Sequence, residues 1–352
     1  MTAPHVQALI SRAADPAAFD VAVAVCRADA GRRDPGDPLP GPDELEGELL
    51  VVAPDRIRRV WVATLDGAPA GLAMATGRST DTGDVRIAEV DVLVDPGLRR
   101  RGVGSALMTA VVSEVVALDR TSIIGYPAAD LWAEESAAFC ARYGLTARQE
   151  ERCSRARVAD IDESLLDRWL AEAADHAPGY RVVQWAGPCP DDQLLARWCD
   201  AEAAMGDAPL DDIDYQHHTR DLEAQRAADA ATAARGHISY CTLALAPNGD
   251  AAGITELSVQ VDRPQIGHQG DTGVLAAHRG HRLGRWLKAA NWRQARAAHP
   301  ELAVIETYNA QSNPWMLDIN VAMGFRPHHV YVAHQAPVDT VLAAVEGRAA
   351  VG

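Results

Sequence analysis

Val94-Asp95-Pro96-Gly97-Leu98-Arg99-Arg100-Arg101-Gly102-Val103-Gly104-Ser105-Ala106-Leu107 carries the chain from an apolar run, through arginines and glycines, into a helical pattern. A strand, a Gly-rich turn and a helix N-terminus make an anion site. Backbone N–H groups converge there, the helix dipole is positive, and glycine admits close approach. An ordinary strand-to-helix turn with surface arginines has the same local composition. The weight therefore rests on whether the stretch recurs.

It recurs at a constant offset of 180 residues. Arg99 maps to Arg279, Gly104 to Gly284 and Leu107 to Leu287, within His278-Arg279-Gly280-His281-Arg282-Leu283-Gly284-Arg285-Trp286-Leu287-Lys288. Asp91 maps to Asp271, Val94 to Val274, and Gly144 to Gly324. Upstream, each half has two apolar runs about a hairpin dipeptide, Asp66-Gly67 and Asn248-Gly249. The shared order indicates a duplicated domain, because the period is far too long for a solenoid. The 352-residue length suits two domains, each able to bury a core.

Composition narrows the function. A formal net charge of −16 argues against nucleic acid or an anionic membrane surface as partner, and makes a local triple arginine conspicuous as an anion site. The acidic remainder weakly favours a cationic co-substrate. No run approaches the ~20 apolar residues that span a bilayer, and Met1-Thr2-Ala3-Pro4-His5 opens no secretory signal. Cys26, Cys140, Cys153, Cys189, Cys199 and Cys241 lack Cys-x-x-Cys spacing. They read as reduced, mostly buried thiols of a cytoplasmic protein. His217-His218 and His328-His329 offer no third ligand and read as surface residues, so no metal is expected. Trp185, Trp198, Trp286, Trp292 and Trp315 read as core or interface aromatics.

Pattern predicts an α/β (α+β) chain of two domains, each a mixed central sheet flanked by helices. In the first half, helices are expected over 17–30, 103–118 and 134–143, with strands over 59–64, 68–75, 85–94, 121–126 and 145–157. The Pro/Gly/Asp-rich 33–42 reads as a loop. In the second half, helices are expected over 191–205, 217–233, 283–297 and 314–323. Strands are expected over 180–185, 238–246, 252–261, 271–275, 302–308 and 325–333. An Asp-capped helix over 162–174 links the halves. The domains are accordingly placed at 1–160 and 179–352, with a linker helix at 161–178.

A hairpin, a strand, Arg-x-x-Gly-x-Gly, a helix, a strand and a helix ending near Gly-Leu or Gly-Phe resembles the GNAT superfamily of acyl-CoA-dependent N-acyltransferases. Both halves carry the pattern, so nearly the whole chain resembles a tandem GNAT protein. The second half is also similar to actinobacterial acetyltransferase-like sequences through Gln269-Gly270-Asp271-Thr272 and Thr307-Tyr308-Asn309-Ala310. The resemblance implies that acetyl-CoA or another acyl-CoA is the co-substrate. Its diphosphate would lie on Arg99, Arg100, Arg101, Gly102, Val103, Gly104 and Ser105, or on Arg279, Gly280, His281, Arg282, Leu283, Gly284 and Arg285. Its pantetheine arm would run along Val92 and Val94, or along Val274. Asn313 matches a family Asn that binds the donor arm, and its counterpart in the first half is Ala133. Arg282 stands where the family has the first Gly, so its side chain either adds a phosphate contact or hinders the turn.

Acyl transfer to an amine needs a base for the amine proton, a donor for the carbonyl oxygen, and an exit for the thiolate. The family's general acid is a Tyr four residues before the Gly of Gly-Phe; here Cys140 and Asn320 take that position. In the second half Glu256 and Asp271 are candidate bases, and Asn320 joins them as a candidate catalytic residue. Period-2 alternation places Gln269 and Asp271 on one face. Solvated strand carboxylates and helix-capping Asn residues are the plain alternatives. Glu89 and Asp91 share a face in the first half, which reads as structural or as a coenzyme A binder without turnover. Cys140 has no nearby His to activate it. The acidic stretch 207–214 is expected to shape the second acceptor pocket. The leading expectation is acetyl transfer to a small-molecule amine by a monomer or homodimer. A non-catalytic acyl-CoA-binding or regulatory protein, and an acetyltransferase for protein N-termini or Lys, are the alternatives.

Overall fold

The computed structural model describes residues 3–79 and 84–349. Its elements begin β1 (His5–Leu9), α1 (Pro16–Arg33), α2 (Pro42–Leu50), β2 (Arg56–Leu65), β3 (Ala68–Arg78), β4 (Ile87–Val94), α3 (Val103–Ala117), β5 (Ser122–Gly125) and α4 (Ala133–Arg142). Next come β6 (Thr146–Arg157), α5 (Glu163–His176), β7 (Arg181–Ala186), α6 (Asp192–Glu202), α7 (Leu222–Ala234), β8 (His237–Leu245) and β9 (Ala251–Gln260). The chain closes with β10 (Ile266–Val274), α8 (Leu283–Ala298), β11 (Val304–Ala310), α9 (Pro314–Ala322), β12 (Arg326–Pro337) and α10 (Val338–Ala349). No helix among the described residues is long and apolar enough to cross a membrane.

Two compact units form, and they do not follow the linear boundaries expected at 160 and 178. One holds Met1–Gln149, Asp212–Tyr215 and Tyr331–Gly352; the other holds Glu150–Asp211 and Gln216–Val330. In the first unit β1 to β4 are antiparallel neighbours, β4 and β5 run parallel, and the end of β12 closes antiparallel on β5. In the second, β7 to β10 are antiparallel, β10 and β11 parallel, and β6 closes antiparallel on β11. The two sheets thus have one topology, and each takes its last strand from the other half of the sequence. The 162–174 expectation is met by α5, whose Asp162 carboxylate accepts the N–H groups of Ser164 and Leu165. It belongs to the second unit, where Asp167 pairs with Arg293 and Glu163 with Arg296 of α8.

Alternation sets the layers in each unit. Val60, Val62 and Leu72 face Phe19, Ala22 and Val25 of α1, while Trp61, Ala63 and Ala73 face Val103, Leu107 and Val111 of α3. Each such side chain removed from water contributes about 1.5–3 kcal/mol, so the α3 stripe anchors the arginine–glycine loop just ahead of it. In the second unit Ala289, Trp292 and Ala295 of α8 pack on Leu257, Val259 and Ile305. Leu195 and Trp198 of α6 cover the opposite face with Cys241 and Leu243.

Several expectations need correction. β1, α2 and α10 were not read from pattern, α7 begins only at Leu222, and β10 begins at Ile266. Trp315 is 80% exposed, and His329 is buried. Residues 212–214 of the acidic stretch, with Tyr215, join the first unit, where Asp214 pairs with Arg86 at 3.1 Å.

Candidate active site

The two arginine–glycine loops share a backbone and differ in residues. Each has left-handed positions at its second and fourth places: Arg100 (φ 63°) and Gly102 (φ 88°), then Gly280 (φ 86°) and Arg282 (φ 56°). A left-handed residue with a Cβ costs about 1–2 kcal/mol and glycine avoids that cost. Each loop therefore carries one relaxed and one strained position, in opposite order. Arg282 does not block the turn; it adopts it and caps α8.

Helical hydrogen bonding resumes only at Ala106 in the first loop and at Arg285 in the second. The N–H groups at the start of α3 and α8 are thus open to an anion, as a diphosphate needs. Gly104 lets α3 lie against Phe139, where an added Cβ would meet the ring at 3.0 Å. The loop cations are partly engaged already. Arg101 pairs with Asp66 at 2.8 Å, and Arg99 lies 5.0 Å over the Trp132 ring. Arg279 pairs with Asp207, Arg282 with Glu172, and Arg285 stacks 5.5 Å over Trp169. His281 Nδ1 lies 3.0 Å from the His176 carbonyl oxygen. Arg100 is exposed and makes no ion pair with another described residue. In the first unit a cavity of about 180 Å³ opens beside the loop, lined by Asp29, Arg32, Val94, Asp95, Arg99 and Trp132.

The strands that would hold the donor arm part in both units. Parallel pairing of β4 with β5 runs from Ile87↔Ser122 to Glu89↔Ile124, although β4 continues to Val94. That of β10 with β11 ends at Gln269↔Thr307, although both strands continue. β4 keeps an unbroken register with β3, so Glu89 and Asp91 do share a face. β10 does not: its register with β9 shifts between Gln269 and Thr272. This β-bulge overturns the expectation that Gln269 and Asp271 point the same way. Gln269 is buried toward α8, where its Oε1 accepts from Trp292 Nε1 at 2.9 Å and its Nε2 donates to Thr255 Oγ1 at 3.1 Å. Thr272 fills the same face, 2.7 Å from Thr255. Gly270 and Asp271 are left exposed at the opening.

Glu256 lies directly under that bulge: a Cβ added at Gly270 would sit 2.7 Å from its Oε1. Burial, then the charges of Asp271 and Glu202, push the Glu256 carboxyl well above the usual carboxylate range. Asp271 keeps part of its surface open to solvent, yet crowding around its carboxylate raises it too, against the pull of His217 and Arg220. Burial raises Glu202, with Arg220 opposing and Asp271 adding. In the first unit burial, with Glu89 adding, pushes Asp91 up to about 7. Desolvation dominates in each case, because removing a carboxylate from water penalises its charged form.

On the far side of β10, Asn320 is 2% exposed. Its Oδ1 accepts from Lys288 Nζ at 2.7 Å, and its Nδ2 donates to Asn309 Oδ1 at 2.7 Å. Lys288 is buried too, and burial pushes its ammonium down to about 7. Asn313 caps α9, accepting the Met316 N–H at 3.3 Å. Cys140 is buried and its thiol is pushed up to about 11, which suits a packed core residue. Sequence reading missed Lys288, Glu202 and Arg220. Lys288 was readable as the one charged residue on the apolar face of its helix.

Residues 56–144 match the family model for the acetyltransferase (GNAT) domain. Over the whole chain, the structure resembles a tandem GNAT protein from the clavulanic acid biosynthesis pathway, solved without acetyl-CoA. The TM-score is 0.76 at 25% identity, covering 95% of this chain and 98% of that one. Residues 56–144 thus carry a GNAT acetyltransferase domain, and the chain as a whole has the fold of a tandem GNAT protein. A GCN5-related N-acetyltransferase from Sphaerobacter thermophilus shares the fold at a TM-score of 0.65 and 14% identity, covering 95% of this chain and 96% of that one. No curated protein matches this chain by sequence.

Proposed function

We propose that the chain transfers an acetyl group from acetyl-CoA to the amine of a small molecule, and that the second unit carries the chemistry. The donor's diphosphate would rest on the N–H groups opening α8, with its arm along β10. The observation that carries this reading is the β-bulge at Gly270 and Asp271. It interrupts the pairing of β10 with β9 just where β10 also parts from β11, and sets Glu256 and Asp271 on the same side of the sheet. A strand N–H freed by that parting would suit the thioester oxygen. A carboxylate with a raised pKa is matched to taking a proton from an alkylammonium near neutral pH, directly or through water. The acidic surroundings of Glu202, Glu256 and Asp271 favour a cationic acceptor. Origin of the tandem relative in a biosynthesis pathway favours a small molecule over a protein.

The cavity beside Arg99 and Trp132 supports a second reading for the first unit, as a holder of acyl-CoA. Thiol release from acetyl-CoA across amino acids, diamines, aminoglycosides and peptide N-termini tests the whole reading. Turnover with a small amine, and none with peptides, is the expected result. Release with peptides alone would replace it by protein acetylation, and coenzyme A binding without any release would leave a binding protein.

A further inference from the structure

Positions 108 and 140 in the first half correspond to 288 and 320 in the second, at the same offset of 180 that relates the loops. The first half fills them with Met108 and Cys140, both buried in its apolar core. The second half fills them with Lys288 and Asn320, also buried and hydrogen-bonded to each other. One backbone framework therefore accepts an apolar pair or a polar pair, and packing does not demand a lysine there. A buried ammonium without a carboxylate is costly to keep.

Chemistry fixes the direction of the bonds. As an ammonium Lys288 only donates, and in that state it takes the Asn320 carbonyl oxygen while the Asn320 amide N–H turns to Asn309. Asn309 then accepts with its own oxygen, and its amide nitrogen is left as the end of the chain. Asn309 is half-buried and lies two residues past the last β10–β11 pair, Gln269↔Thr307, where the strands have parted. Hydrogen bonds running one way from a cation polarise one another.

We propose that Lys288, acting through Asn320, positions and polarises the Asn309 amide as the donor that stabilises the departing thiolate. This rests on the second unit being the reacting one. The amine lone pair attacks the thioester carbon, the C–S bond breaks, and its electron pair leaves on sulfur. Glu256 or Asp271 takes the amine proton, Asn309 hydrogen-bonds the sulfur anion, and the thiolate then collects a proton from solvent. Lys288 and Asn320 are positioning residues, and Asn309 is the group that touches the sulfur.

The test is the double variant Lys288→Met/Asn320→Cys, which installs the first half's pair, beside Asn309→Ala. The double variant is expected to melt at or above the temperature of the unmodified protein. Its KM for acetyl-CoA stays within about threefold while kcat falls about 10- to 100-fold, the scale of losing one oriented donor. Asn309→Ala loses kcat to the same degree with Lys288 and Asn320 in place. An unchanged kcat in the double variant overturns the proposal. A readout free of any acceptor is the ionisation of bound coenzyme A, followed by thiolate absorbance. The thiol should ionise at lower pH on the unmodified protein than on the double variant. Equal titrations overturn this inference and leave the proposed transfer standing; failure to bind coenzyme A overturns both.

Discussion

In the first unit the donor loop reads Arg100 then Gly102 at its two left-handed positions, and the strand before it runs in unbroken register. In the second the order is Gly280 then Arg282, and the strand is broken by a bulge. The loops solve one backbone problem equally well, so the glycine count does not rank them. The strands differ in kind. Without a bulge, Glu89 and Asp91 stay together on the α1 face. With it, Gln269 turns into the core and Asp271 stays out with Glu256. One inserted kink decides which side chains stay at the sheet opening and which turn into the core.

The largest effect should come from the acceptor-side carboxylates. Glu256→Gln is expected to lower kcat about 10²- to 10⁴-fold, the range for a lost general base, and Asp271→Asn less. Asp91→Asn should leave thiol release within twofold, and a comparable loss there would make the first unit the reacting one. Next in size are the loops. Gly102→Val and Gly280→Val each force a β-branched residue into a left-handed conformation, a strain of about 1–3 kcal/mol. Calorimetry should show each weakening coenzyme A binding about tenfold at one site only, which would establish that both loops bind.

The pH dependence of stability should distinguish two buried groups, one in each unit, whose pKa values shift in opposite directions. Lys288 titrates near 7 when folded against 10.5 ordinarily, so the unfolded chain holds the extra proton between these values and stability climbs as pH rises through them. Lys288→Met should flatten that climb and gain most below pH 7. Asp91 titrates near 7 against 3.8, so the folded chain holds the extra proton and stability falls across that window. Asp91→Asn should stabilise at pH 8 and do little at pH 3. Denaturant midpoints across pH measure both. The smallest effect is expected for Arg282→Gly, where relief of left-handed strain is offset by glycine's greater freedom when unfolded and by the lost Glu172 pair. Its melting temperature should move by no more than a few degrees.

Local patterns were legible where local chemistry sets them. The loop, the hairpins about Asp66-Gly67 and Asn248-Gly249, the Asp162 cap and the apolar spine of α3 all follow from side chains near in sequence. The loop's return 180 residues later made the duplication readable. What escaped depends on distant partners. β1 is an edge strand of mixed polarity, His-Val-Gln-Ala-Leu, and becomes a strand only by pairing with β2. The bulge at Gly270 and Asp271 is a property of register, which alternation alone cannot show, so the facing of Gln269 was misread. Asn320 was legible as a departure from the family's Tyr, but its partner Lys288 lies 32 residues away on another helix.

Exchange of the closing strands bears on how the protein is made. While the chain emerges from the ribosome, β1 to β5 are complete long before β12, so β5, paired only with β4, keeps an open edge until residues 334–337 are out. Exposed edges invite pairing with other chains, and sheets that depend on distant segments are slow to finish. A nascent chain stalled before residue 331 would hold a first unit lacking its final strand, even though the family-matched stretch 56–144 is already made. Expressing either half alone would likewise leave one sheet short of a strand. The first unit therefore cannot complete its sheet until β12 has been made, long after β1 to β5.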